Sequence, residues 1–155
     1  MKPLQTTIAD VLREAINSEV ASRAYYVKLS ERAADQAARA KLIDLSERQI
    51  QHRLKLERRY RELVGEPPPQ PPAPPEPRIE LPPDLRNIDV SRALRIALEH
   101  ERESESNFRF LAERTTDPDL LSLFVELAEM EWKHKVEIQS EFDSIGGDPE
   151  SMLFE

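Results

Sequence analysis

The chain has 155 residues, 39% hydrophobic and 34% charged, with three Gly, thirteen Pro and no Cys, and a formal net charge of −8. That length suits a single domain with a real core, and the Gly-poor, charge-rich composition points to a soluble helical protein. Lack of Cys excludes disulfides, thiolate-held iron–sulfur clusters and Cys-bound zinc or iron. No apolar run reaches the roughly 18 residues of a membrane-spanning helix, and no apolar leader opens the sequence, so a cytoplasmic protein with no membrane partner is expected.

A first helical hairpin is predicted over 7–65. Thr7 caps the first helix, with Asp10 three residues on in a capping-box arrangement, and apolar periodicity runs to about Ala33. Its inward stripe is Leu12, Ala15, Glu19, Ser22, Tyr26, Leu29 and Ala33, alternating steps of three and four as one face of a bundle helix does. Asp35 starts the second helix, which runs to about Val64 and stops at Gly65. There the stripe is Ala38, Leu42, Leu45, Gln49, His52, Leu56 and Leu63.

Residues 66–83 hold ten of the thirteen prolines, which rules out helix or central strand. As polyproline II at about 3.1 Å per residue, twelve such residues reach about 37 Å, close to the roughly 39 Å of a 26-residue helix. The segment can therefore return the chain along the bundle, which favours one long crossover over a plain up-down-up-down order. A stiff spacer that lets two chains swap hairpins, or a proline motif that docks a partner, are the alternatives.

A second hairpin is predicted over 88–146. Its third helix carries Leu94, Ala97, Glu101, Ser104, Phe108 and Leu111. Asp117–Pro118 opens the fourth with a cap and a first-turn proline. That helix carries Leu120, Phe124, Leu127, Glu131, His134, Ile138 and Ile145, and stops at Gly146–Gly147. A tail, 147–155, follows with Met152, Leu153 and Phe154. An ungapped offset of 82 aligns 8–67 with 90–149 at 14 identities in 60 positions, with conservative pairs such as Tyr26/Phe108 and Leu42/Phe124, which reads as internal duplication of one hairpin.

Charge is divided between the halves. Residues 1–65 hold 13 Lys and Arg against 9 Asp and Glu, a net of +4; residues 84–155 hold 8 against 18, a net of −10. Opposite charge favours docking of the halves, within one chain or between two, and a homodimer is expected. The basic run from Arg48 to Arg61 reads as a solvated helix face rather than a base-stacking platform, so no nucleic-acid partner is expected.

Within the duplication, Glu19, Gln49 and His52 recur as Glu101, Glu131 and His134. A carboxylate on an apolar stripe is costly unless compensated. A lone inward His is usually a hydrogen-bonded core residue, and a lone inward Glu usually pairs with Arg. The joint pattern, at mid-helix on four stripes, is harder to explain that way. Residues three apart project to one side of a helix, and a Glu from each of two helices with Glu-x-x-His from the other two forms a dinuclear carboxylate site in a four-helix bundle.

On these residues the chain resembles the ferritin-like superfamily, and within it the rubrerythrin-like proteins, over about residues 8–145. The resemblance implies an all-α ferritin-like four-helix bundle with the Pro-rich stretch as crossover between helices two and three. It implies a two-metal site, with iron as the usual metal and another divalent metal as the alternative. Glu19 and Glu101 are then terminal ligands, Glu131 a bridge, and His52 and His134 ligands to one metal each, with no further catalytic residue and Tyr26 nearby. Such a di-iron oxidoreductase cycles between ferrous and ferric states with hydrogen peroxide or dioxygen. Two departures stand out. Gln49 occupies the place of the second bridging Glu, and Glu105, one turn after Glu101, is the candidate to supply the missing carboxylate. No Cys-bearing rubredoxin-like domain is present, so turnover needs an external electron donor. The alternatives are a degenerate bundle acting as a structural or interaction module, and iron handling or storage. His100 and Trp132 are read as flank and interface residues.

Overall fold

The computed structural model describes residues 7–69 and 80–146. The tail and the middle of the Pro-rich stretch lie outside the described residues. Four helices are present: α1 (Ile8–Ser30), α2 (Gln36–Val64), α3 (Val90–Arg114) and α4 (Pro118–Ser144). The chain divides into two compact units, Met1–Ile88 and Asp89–Glu155, and each holds one hairpin, α1 with α2 and α3 with α4. No helix among the described residues is long and apolar enough to cross a membrane.

In the first unit the capping box forms as expected. Thr7 Oγ1 accepts from the Asp10 amide at 3.1 Å, and Asp10 Oδ2 accepts from the Thr7 amide at 3.2 Å. Asp35 caps α2 by accepting from the Ala38 amide at 2.8 Å. Gly65 ends α2 at φ 89°, a left-handed conformation suited to Gly, and its N–H donates to Arg61 O at 2.9 Å. Leu12, Tyr26, Leu29, Ala38, Leu42, Leu45 and Tyr60 are buried nearly completely. Leu63, expected to face inward, is 40% exposed. At 29 residues α2 outlasts the 23-residue α1, so its last turn has no facing turn on its partner.

Another difference explains how the crossover ends. α1 stops at Ser30 instead of continuing to Ala33, because the backbone there turns to a different partner. The Ala34 amide donates to Ile88 O at 2.8 Å and the Ile88 amide donates to Arg32 O at 3.0 Å, forming an isolated parallel bridge at Ala33 and Ile88. The Arg32 guanidinium donates to Pro82 O and, at 2.9 Å, to Leu85 O. Leu81 and Ile88 are buried. Asn87 takes φ 52°, a left-handed conformation that Asn tolerates better than most residues. The chain thus leaves the far end of α2 at Gly65 and is back at the α1–α2 turn by Leu81–Ile88. It has recovered the roughly 43 Å length of α2, as expected of one long crossover.

In the second unit Asp89 caps α3 by accepting from the Arg92 amide at 2.7 Å. Asp117 caps α4 by accepting from the amides of Asp119 (2.9 Å) and Leu120 (3.4 Å), with Pro118 in the first turn. Ala93, Leu94, Ala97, Leu98, Leu123, Phe124, Leu127, Ile138 and Phe142 form the buried face. Ile145, expected on that face, caps α4 instead and is 48% exposed.

Candidate metal centre

Each hairpin sets a Glu of its first helix opposite a His of its second. In the first unit, Glu19 Oε2 on α1 lies 3.5 Å from His52 Nδ1 on α2. In the second, Glu101 Oε2 on α3 lies 3.7 Å from His134 Nδ1 on α4. All four side chains are buried. Small residues one turn away, Ala15 and Ser22 beside Glu19 and Ala97 and Ser104 beside Glu101, leave room for a polar group on an otherwise apolar stripe.

Both separations exceed the usual 2.7–3.2 Å of an N–H···O hydrogen bond. They come close to the roughly 3.0–3.4 Å between two donors that each sit about 2.1 Å from a shared cation. Imidazole and carboxylate together suit borderline-to-hard divalent ions such as iron, zinc or manganese. The donor sets therefore fit a metal.

Position 49 breaks the parallel. Glu131 is buried one turn before His134, and its counterpart Gln49 is buried at 3% exposure. The Gln49 amide nitrogen donates back to Leu45 O at 3.3 Å. This leaves the amide oxygen as the only ligand atom Gln49 can offer. It carries no charge and bridges two cations poorly. Tyr26, two turns beyond Glu19, is almost fully buried, with Tyr25 set edge-on at 6.0 Å between ring centres.

Glu105 is buried, but both of its oxygens are engaged. Oε2 accepts from Arg109 Nε at 2.8 Å and Oε1 from Lys135 Nζ at 2.9 Å. Burial alone would raise its carboxyl pKa; the hydrogen bonds from Lys135 and Arg109, with their charges, outweigh that and hold it below the ordinary carboxylate range. Ligation by Glu105 would require exchanging these bonds. Arg109 could have been found from its i,i+4 spacing to Glu105. Lys135 could not, because it is 30 residues away and only packing of α3 on α4 brings it near. His100 is half-buried and Trp132 is 47% exposed.

A family model described as Rubrerythrin matches residues 10–141, most of the chain and all of the residues named above. No curated protein matches. Among solved structures, a hypothetical protein from Pyrococcus furiosus is similar at 21% identity, with 92% of each chain covered and a TM-score of 0.52. At that identity the likeness speaks for fold alone, an all-α arrangement of four helices; that this fold is the ferritin-like four-helix bundle rests on the family match.

Proposed function

Because this chain belongs to the rubrerythrin family, we propose that it binds iron through its buried carboxylate and histidine side chains and performs redox chemistry there with hydrogen peroxide or dioxygen. Glu19 and His52 serve from the first hairpin, and Glu101, Glu131 and His134 from the second. The observation that supports this reading best is the buried Glu–His pair that recurs in both hairpins at nearly the same separation, 3.5 and 3.7 Å. When bound, iron supplies the electrons that reduce peroxide or dioxygen, and an external donor restores them.

The protein's own part is to hold charge and exclude water. Glu19, Glu101 and Glu131 bring three negative charges, so two divalent cations leave one positive charge uncompensated where a fourth carboxylate would balance it. Gln49 supplies at most a neutral oxygen on that side. A cation held with Glu131 would therefore be bound more tightly than one held with Gln49. Glu105, held by Lys135 and Arg109, acts first as a positioning residue that locks α3 against α4 beside Glu101 and His134.

Anaerobic ferrous loading, desalting and measurement of iron per chain test the reading. A ratio near two, followed by a ferric absorption change on adding peroxide, supports it. A ratio near one restricts it to the stronger position. A ratio near zero overturns it in favour of a structural bundle in which Gln49 marks a lost site.

A further inference from the structure

All three tyrosines of the chain lie in the first hairpin. Under the offset of 82, Tyr26 matches Phe108, Tyr60 matches Phe142 and Tyr25 matches Asn107. The second hairpin thus keeps a ring at two of these positions and a phenol at none. A phenol can do what a phenyl ring cannot: give up one electron together with its proton. The difference falls in the hairpin that also carries Gln49 in place of a carboxylate.

Tyr26 stands on the same stripe of α1 as Glu19, two turns and about 10 Å further along the helix axis, and is 1% exposed. Tyr25 is half-buried and lies about 120° round the helix from Glu19. The two rings meet edge to face, with 6.0 Å between centroids and 60° between planes, a close aromatic contact. The pair therefore leads from the stripe that carries the ligand to the protein surface. Tyr60, two turns beyond His52 on α2, is enclosed at 2% exposure. It has the chemistry of Tyr26 without that outlet.

Reducing one hydrogen peroxide to two waters takes two electrons and two protons. A chain holding two ferrous ions supplies both electrons; a chain holding one supplies a single electron. Three carboxylates and the neutral Gln49 balance two cations poorly, so single occupancy is a state the chain must serve. We propose that Tyr25 and Tyr26 form a relay that supplies the second electron. It passes from Tyr25 through Tyr26 to the centre. The Tyr25 phenolic proton goes to water, and water provides the two protons that peroxide consumes. The iron ends ferric and Tyr25 ends as a neutral radical at the surface, where an external one-electron donor reduces it. The oxidising equivalent leaves the core instead of attacking it. The inference rests on the iron chemistry proposed above and adds its route to the surface.

The test uses the full chain loaded anaerobically with one ferrous ion, mixed with one equivalent of hydrogen peroxide and freeze-quenched. EPR spectroscopy reads the radical, and a parallel sample with a nitroso spin trap is digested and mapped by peptide mass spectrometry. Wild type is expected to give a radical whose spectrum narrows with ring-deuterated tyrosine, trapped at Tyr25. Tyr26→Phe, which copies Phe108, is expected to lower the label at Tyr25 tenfold or more, with iron per chain and helicity measured alongside. Tyr25→Phe is expected to leave the radical on Tyr26 and to slow its decay tenfold or more. Tyr60→Phe should change neither label nor decay. If Tyr26→Phe loses helicity, the radical lifetime in Tyr25→Phe decides. A chain that retains no iron, or shows no ferric absorption change with peroxide, overturns the iron reading and the relay with it. A ferric change without a tyrosyl radical, a radical on Trp132, or a Tyr25 label that survives Tyr26→Phe overturns the relay alone.

Discussion

The two hairpins carry the same Glu–His pair and differ in nearly everything that tunes it. One turn before the His, the second hairpin has Glu131 and the first has Gln49. The second also buries an additional carboxylate, Glu105, whose counterpart by repeat position is exposed Arg23. Lys135 and Arg109, which hold Glu105, correspond to Arg53 and Val27. Residues that can ligate thus recur in both halves, while the residues that set charge do not. Geometry and electrostatics are separable here: helix spacing delivers the Glu–His pair, and a few neighbouring side chains decide how much positive charge its surroundings can balance.

The comparison breaks most completely at the amide position. Glu131→Gln makes the second hairpin like the first, and iron per chain after ferrous loading is expected to fall by at least half. Gln49→Glu makes the first like the second and is expected to tighten retention of the second metal, read as a higher ratio after chelator challenge. A ratio unmoved by both exchanges would mean that position 49/131 does not face the metal.

Next in size is the core of each hairpin. Phe124→Ala is expected to cost about 3–5 kcal/mol and Leu42→Ala, at the matching position, about 2–5 kcal/mol, measured by chemical denaturation of the metal-free protein. Equal losses would indicate equally tight packing around both half-sites.

The Glu105 cluster, present in one hairpin only, gives a pH signature. Its folded carboxyl pKa lies below the unfolded value, so the stability it adds is fully present above the unfolded pKa of about 4.3 and is lost as pH falls through the lower folded value. Glu105→Gln should therefore be destabilising at neutral pH, by about 0.5–1 kcal/mol because Arg109 and Lys135 are partly exposed and their pairing is screened by solvent, and the gap to wild type should close on acidification. With both oxygens already engaged, Glu105→Gln is expected to leave the iron ratio unchanged at neutral pH. A lowered ratio would instead make Glu105 a ligand.

An effect of similar size is expected at the helix starts. Asp35→Ala and Asp117→Ala each remove a cap and are expected to cost about 1 kcal/mol in the same denaturation assay. Asp117 accepts from two amides and Asp35 from one, so Asp117→Ala should be the costlier of the two.

Much of this protein is determined by short-range chemistry, and that much was legible in sequence. Thr7, Asp35 and Asp117 start helices because their side chains accept from amides two or three residues on, and Gly65 stops one because it accepts a left-handed backbone. The recurrence of Glu19 and His52 as Glu101 and His134 marks the positions that the fold sets opposite one another in each hairpin, because three- and four-residue spacing settles which face a side chain occupies.

Only the tertiary structure decided the rest, because it depends on contacts between distant residues. The early end of α1 follows from Ile88, more than fifty residues later, taking backbone hydrogen bonds in the α1–α2 turn. The exposure of Leu63 follows from the unequal lengths of α1 and α2. Glu105 is engaged by Lys135 from another helix, a pairing that no spacing within α3 could indicate. Periodicity assigns a residue to a face of its helix; what that face meets is set by the chain that folds against it.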